Sequence, residues 1–281
     1  MRRLVPGLFP DSCHARLWLA LGLAVLGSPS LIHAATNSSG QLFTLTSLST
    51  NAPVLAEARV RVFAGPAHWS LEGTRSYDQL GFAVAAGRFS GGARPELALA
   101  QPGRGKSGCI LSFSFHETGA PPHFLWRYTN HEPGMTFRGE FSSGDVNGDG
   151  LSDLLIGMPL AVTNSRLERQ GLVFACFGSS NGLESSRWKG IWGTNLEATG
   201  RKILLADLNR DGRADLLMAS ANASGRTNGA GQVRLAWRAD HETGFSNVWS
   251  ATGGQDDQYL GSALAVADIN GDGWPDIIVG N

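Results

Sequence analysis

Short apolar runs separated by Gly-rich and Asp/Asn-rich breaks set the rhythm of this chain from about residue 55 onward. "LGFAVAAG" (80–87) and "LGSALAVA" (260–267) superpose residue for residue, alternating small residues with Val or Leu as a half-buried strand does. A polar nonapeptide follows each, and then a second apolar run: "LALAQP" (97–102), "LLIGMP" (154–159), "LLMAS" (216–220) and "IIVG" (277–280). A third set, "GCILSFSF" (108–115), "GLVFACFG" (171–178) and "GQVRLAW" (231–237), opens on glycine, and a Trp-containing segment predicts a fourth strand. No heptad or long amphipathic helical stretch interrupts this order, so the chain is expected to be all-β.

The nonapeptides are the most regular part. "DVNGDGLSD" (145–153) recurs as "DLNRDGRAD" (207–215) and "DINGDGWPD" (268–276), at intervals of 62 and 61 residues. Nineteen residues before each first aspartate stands a tryptophan: Trp126, Trp188 and Trp249. A fourth, Trp69, predicts a fourth loop at residue 88, and "RFSGGARPE" (88–96) stands there in register. In that degenerate loop Arg88, Ser90 and Gly92 replace the polar ligands, and only Glu96 keeps a carboxylate. A guanidinium at its first position is expected to supply the positive charge that a metal gives elsewhere. Four short strands at a period near 61, joined by Gly-rich turns, predict the four-stranded blades of a β-propeller, with about three full blades and a partial blade at each end. The expectation is either a truncated propeller or closure into four blades by the N-terminal "ARVRVFAG" (58–65) and Trp69.

The chemistry of the loops follows from their spacing. Asp145, Asn147 and Asp149 stand at positions 1, 3 and 5, Gly150 at 6 and Asp153 at 9, like the front of an EF-hand. Position 12, where an EF-hand places a bidentate Glu, holds Ile156, Met218 or Val279, so these loops are hairpin connections and position 9 has to provide the late carboxylate. The predicted ligands are Asp145, Asn147, Asp149, the Leu151 carbonyl and Asp153; Asp207, Asn209, Asp211, the Arg213 carbonyl and Asp215; and Asp268, Asn270, Asp272, the Trp274 carbonyl and Asp276. Because position 7 offers its backbone, its varied side chain is expected not to matter. All-oxygen sets with three carboxylates suit Ca²⁺, and three structural Ca²⁺ sites are predicted. Asp/Asn/Gly clusters are also ordinary turn formers, but identical ligand spacing in three loops, each in register with a tryptophan, favours metal. Magnesium, which prefers few carboxylates and retained waters, is a poor rival.

The rest of the sequence narrows the setting. Arg2 and Arg3 precede the apolar "LWLALGLAVLG" (17–27), and Ala34 offers a small residue for cleavage, so residues 1–34 read as a signal peptide. The alternative is an uncleaved anchor; either way the remainder is exported to a secreted, periplasmic or cell-surface location, and no membrane span is expected after cleavage. Residues 35–54 form a lead-in with room for an edge strand, and 55–281 carry the repeats. Cys109 and Cys176 lie 67 residues apart inside apolar runs and read as buried free thiols rather than a disulfide. A net charge of −1 excludes nucleic acid as an electrostatic partner. "QPGRGKSG" (101–108) lacks the first glycine of a phosphate loop, where Ala100 stands, and is a surface turn. No G-x-S-x-G is present, and the scattered histidines make no catalytic spacing.

These repeats resemble FG-GAP repeats, the units of the integrin alpha-chain N-terminal propeller. The resemblance is carried by "LGF" (80–82), "LG" (260–261), the three loops, "GMP" (157–159) and "GLVFACFGSSNGL" (171–183), and covers residues 55 to 281. It implies a Ca²⁺-stabilised propeller of secreted or surface proteins, with the calcium structural and away from the usual ligand face. The expected function is a non-catalytic adhesion or recognition module for an extracellular or surface protein or glycan. The alternatives are the propeller of a secreted polysaccharide- or lipid-acting enzyme whose catalytic residues lie elsewhere, or a lectin using exposed tryptophans. Blade-to-blade packing is expected of the recurring tryptophans.

Overall fold

The computed structural model describes residues 32–36, 42–46, 59–64, 67–72, 79–102, 108–115, 121–129, 137–161, 170–184, 190–193, 198–221, 229–238 and 245–281. Two hairpins come first: β1 (Ile32–Thr36) with β2 (Leu42–Thr46), and β3 (Arg59–Ala64) with β4 (Ala67–Glu72). The remaining strands are β5 (Val84–Gly87), β6 (Glu96–Gln101), β7 (Cys109–Ser114), β8 (His123–Thr129), β9 (Phe141–Gly144), β10 (Asp153–Met158), β11 (Leu172–Ser179), β12 (Gly182–Glu184), β13 (Ile191–Trp192), β14 (Lys202–Ala206), β15 (Asp215–Ser220), β16 (Gln232–Arg238), β17 (Phe245–Thr252), β18 (Ala263–Ala267) and β19 (Asp276–Gly280). No helix occurs among the described residues. Most of the expected signal peptide lies outside them, and β1 runs across the predicted cleavage boundary at Ala34.

The strands form antiparallel blades in chain order. Strands β5-β6-β7-β8 make one four-stranded sheet and β14-β15-β16-β17 another. Between them, β9-β10-β11 carries β12 and β13, both paired with β11. The tryptophan segment is the predicted fourth strand, and it is bulged in both continuous cases. The register shift between Ser112 and Phe113 follows the Trp126 pair, and that between Leu235 and Ala236 follows the Trp249 pair. The strand pair β18-β19 closes the described chain.

The second strand of each blade is an unbroken apolar run because both its faces are covered. Every residue of β10 and β15 is buried. Leu154, Ile156 and Met158 pack toward the preceding sheet with Ala98, Ile110 and Phe89, while Leu155 faces Ile203, Leu216 and Met218 of the next. Leu217 and Ala219 in turn meet Ile277 and Val279. Position 12 of the loops therefore does point an apolar side chain into the blade.

Close approach of the blades requires glycine at Gly200. Its φ is +89°, and an added Cβ would lie 2.7 Å from the Leu172 carbonyl oxygen and 3.0 Å from Gly157 Cα. First strands adjoin one another through side chains: Leu205 N–H donates to Ser142 Oγ at 2.9 Å, Ser143 Oγ donates to the Ala86 carbonyl at 2.7 Å, and Lys202 pairs with Glu140.

The tryptophans do not share one environment. Trp69 is buried against Val60, Val62 and Leu97, and Trp126 is half-buried where a Cβ on Gly182 would strike its ring. Trp249 is 46% exposed, and β18-β19 pack on β15 and β16. Trp188 lies outside the described residues. Cys109 and Cys176 are buried thiols that are not joined in a disulfide, as expected.

Candidate metal centres

Each loop joins the first strand of a blade to the second, and short polar side chains fold it onto its own backbone. Asp145 accepts N–H bonds from Gly148 at 2.6 Å and Asp149 at 3.2 Å on Oδ1, and from Gly150 at 2.8 Å on Oδ2. Asn147 Oδ1 accepts the Asp149 N–H at 2.8 Å, and Asp149 Oδ1 accepts the Leu151 N–H at 2.8 Å. The same network recurs in the other loops. Asp207 Oδ2 accepts from Gly212 at 3.0 Å and Asp268 Oδ2 from Gly273 at 2.8 Å. Asp211 and Asp272 accept the N–H groups of Arg213 and Trp274 at 2.8 and 2.7 Å. Such Asx turns hold the polar oxygens together at one end of the hairpin.

Position 6 is left-handed in all three loops, with φ of +83° at Gly150, +84° at Gly212 and +86° at Gly273. Position 4 is left-handed too, at Gly148 (+75°), Arg210 (+61°) and Gly271 (+76°). The loop spacing singled out the glycine at position 6 and gave position 4 no part. The glycines at 148 and 271 were the available signal, masked by the arginine at 210.

Position 9 anchors the loop to its sheet. Asp153 is fully buried; its Oδ2 accepts the Val146 N–H and its Oδ1 the Gly178 N–H, each at 2.9 Å. Asp215 and Asp276 accept the position-2 N–H groups of Leu208 and Ile269 at 3.0 and 2.9 Å. Burial pushes the Asp153 carboxyl up to about 6, against the pull of the Gly178 and Val146 N–H groups and with added repulsion from Asp149 and Asp145. Burial likewise raises Asp215 to about 6, against the Leu208 and Asn209 N–H groups and helped by repulsion from Asp211 and Asp207. The exposed Asp272 is held below the usual carboxylate range by the Trp274 N–H, then by the Asn270 amide and by Arg210.

The degenerate loop keeps this shape with other groups. Arg88 Nε donates to the Gly92 carbonyl at 3.0 Å, folding the guanidinium over its own loop. Glu96, one carbon longer than Asp, accepts the Ser90 N–H at 2.9 Å and pairs with the Ser90 hydroxyl.

Position 7 contradicts the expectation that its side chain is idle. Leu151 lies over Gly91, Arg213 over Gly148, and Trp274 over the Arg210 guanidinium at 4.5 Å from the ring centroid. In each case position 7 of one loop covers position 4 of the loop before it.

The residues fit a calcium ion. The donors are all oxygens, three carboxylates fall within nine residues, and the repulsion that helps raise Asp153 is the imbalance a cation relieves. Among the described residues, however, no three His, Cys, Asp or Glu side chains converge as a metal cluster. Both Asp153 oxygens are engaged by N–H groups, though each retains a second lone pair.

Residues 207–279 match the FG-GAP-like repeat and residues 137–173 the FG-GAP repeat. The chain is 28% identical to integrin alpha-4 of Xenopus laevis over 206 residues, covering 72% of this chain and 19% of that protein. It is 27% identical to integrin alpha-5 of Xenopus laevis, covering 73% of this chain and 20% of that protein. It is also 29% identical to phosphatidylinositol-glycan-specific phospholipase D of Mus musculus, covering 67% of this chain and 24% of that protein. The chain thus spans about a fifth to a quarter of the length of these relatives.

Proposed function

From a chain built of FG-GAP repeats and similar to integrin alpha chains, we propose an exported, calcium-binding β-propeller that serves as a non-catalytic adhesion or recognition module. The observation that carries this reading is the same side-chain-to-backbone network in three loops, which sets the same oxygen donors at the same positions each time. Asp145, Asn147, Asp149, the Leu151 carbonyl and Asp153 would hold one ion, and the matching residues of 207–215 and 268–276 the other two. Bound calcium would neutralise the crowded carboxylates and fasten each hairpin to its blade.

Export is supported by the basic residues and apolar run at the N-terminus and by the integrin relatives. Among the described residues, no helix is long and apolar enough to cross a membrane. The partner on this reading is an extracellular or surface protein or glycan. The phospholipase D similarity supports a second reading, in which the same propeller accompanies a lipid-acting catalytic unit. For a lectin, Trp249 is 46% exposed while Trp69 is buried and Trp126 half-buried, so the recurring tryptophans offer it no common surface.

Calorimetric calcium titration of the full chain, with melting curves in calcium and in chelator, tests the metal reading. Three equivalents and a melting temperature that falls on chelation and recovers with calcium are expected. No heat of binding and superimposable melts would overturn it. Assay of the chain against phosphatidylinositol-glycan substrates separates the two functional readings.

A further inference from the structure

Neighbouring loops are joined through the backbone as well as through position 7. The Ala214 N–H donates to the Asp145 carbonyl at 2.7 Å, and one blade earlier the Ser152 N–H donates to the Arg88 carbonyl at 3.1 Å. In these two loops position 8 therefore grips position 1 of the loop before. At the next junction this bond cannot form: position 8 of the last loop is Pro275, which has no N–H.

The grip falls on a residue central to its own loop. Asp145 gathers the N–H groups of Gly148, Asp149 and Gly150, so the setting of its backbone decides where its carboxylate enters the turn. Ala214 is itself buried, and a Cβ on Gly144 would lie 2.9 Å from the Ala214 Cβ, so the two backbones meet closely. Ala214 also directly precedes Asp215, whose carboxylate ties the 207–215 loop together through Leu208. Ordering that loop therefore orders the group that holds Asp145.

We propose that Ala214 is a positioning residue for the 145–153 loop, and that through its N–H calcium loading of the 207–215 loop strengthens loading of 145–153. Between the 207–215 and 268–276 loops Pro275 removes this route and leaves only the Arg210–Trp274 contact, so their coupling is the weaker. Direct repulsion between bound dications acts in the opposite direction, so a positive coupling is carried by the contacts between the loops, and replacing Ala214 separates its hydrogen bond from the Arg213–Gly148 contact. The inference rests on the calcium reading above and adds a direction and a route to it.

Calcium titration of the full chain followed by NMR on the Gly150, Gly212 and Gly273 amides reads each loop separately, since each of these N–H groups is bonded to a position-1 aspartate. Asp207→Ala is expected to weaken the Gly150 response about tenfold and to change the Gly273 response less. Ala214→Pro places at position 8 the residue that two sibling loops already carry there, Pro95 and Pro275. It is expected to weaken the Gly150 response and to abolish the further effect of Asp207→Ala. Unchanged calcium affinity at Gly150 in Asp207→Ala, with wild-type binding at all three loops, overturns this inference alone, whether or not Ala214→Pro folds. Absence of calcium binding to the wild-type chain overturns the calcium reading and this inference with it.

Discussion

The Gly178 N–H on β11 donates to Asp153 Oδ1 at 2.9 Å, so the last residue of a polar loop is fastened inside the sheet that the loop serves. Its other oxygen accepts the Val146 N–H, and Val146 is itself fully buried under the next blade. Asp153→Ala therefore strands two N–H groups away from water, and each stranded group costs about 1–3 kcal/mol. The expected loss is about 2–4 kcal/mol in urea denaturation, measured in chelator so that no metal contributes. Asp145→Ala, whose acceptors lie at the exposed end of the hairpin, is expected to cost about 1 kcal/mol under the same conditions. Equal losses for the two variants would show that burial does not set the hierarchy.

Two glycines with nearly the same backbone separate strain from packing. Gly212 has φ of +84° and nothing within 4 Å of an added Cβ, while Gly200 has φ of +89° and the Leu172 carbonyl 2.7 Å away. Gly212→Ala meets only the left-handed penalty, about 1–2 kcal/mol. Gly200→Ala adds overpacking of about 1–3 kcal/mol, for an expected total near or above about 3 kcal/mol. Thermal melts of the two variants check this, and a Gly200→Ala protein as stable as Gly212→Ala would refute the close blade contact.

Calcium linkage is graded by loop. A site at a calcium concentration of about 100 times its Kd adds about 2.7 kcal/mol to the folded state. Asp145→Ala, Asp207→Ala and Asp268→Ala are each expected to remove part of the calcium-dependent rise in melting temperature. The triple variant is expected to melt at the same temperature with and without chelator. A residual calcium response in the triple variant would place binding elsewhere.

The blade pattern was legible because it depends on burial. β10 and β15 are covered on both faces and read as continuous apolar runs, while β5 alternates. The loop spacing was legible because Asx turns need particular side chains at particular positions. Contacts between repeats were not. Leu151, Arg213 and Trp274 are unlike one another because each answers a different neighbour at position 4, and no single repeat contains that neighbour.

Arg210 and Trp274 provide the most direct test of that inter-repeat matching. Arg210 is the non-glycine among the position-4 residues of the four loops and adopts φ of +61°, a conformation that costs a side-chain-bearing residue about 1–2 kcal/mol. Its guanidinium stands 4.5 Å from the Trp274 ring centroid, an interaction that contributes about 0.5–1 kcal/mol at an exposed site. Arg210→Gly relieves the first and forfeits the second, so the variant is expected to stay within about 1 kcal/mol of wild type. Trp274→Ala forfeits the contact and keeps the strain, so it is expected to be the less stable of the two. A double-mutant cycle on Arg210→Ala and Trp274→Ala is expected to give a coupling of about 0.5–1 kcal/mol. A coupling indistinguishable from zero would mean that the two side chains are merely adjacent, and that position 7 carries no matching across this junction.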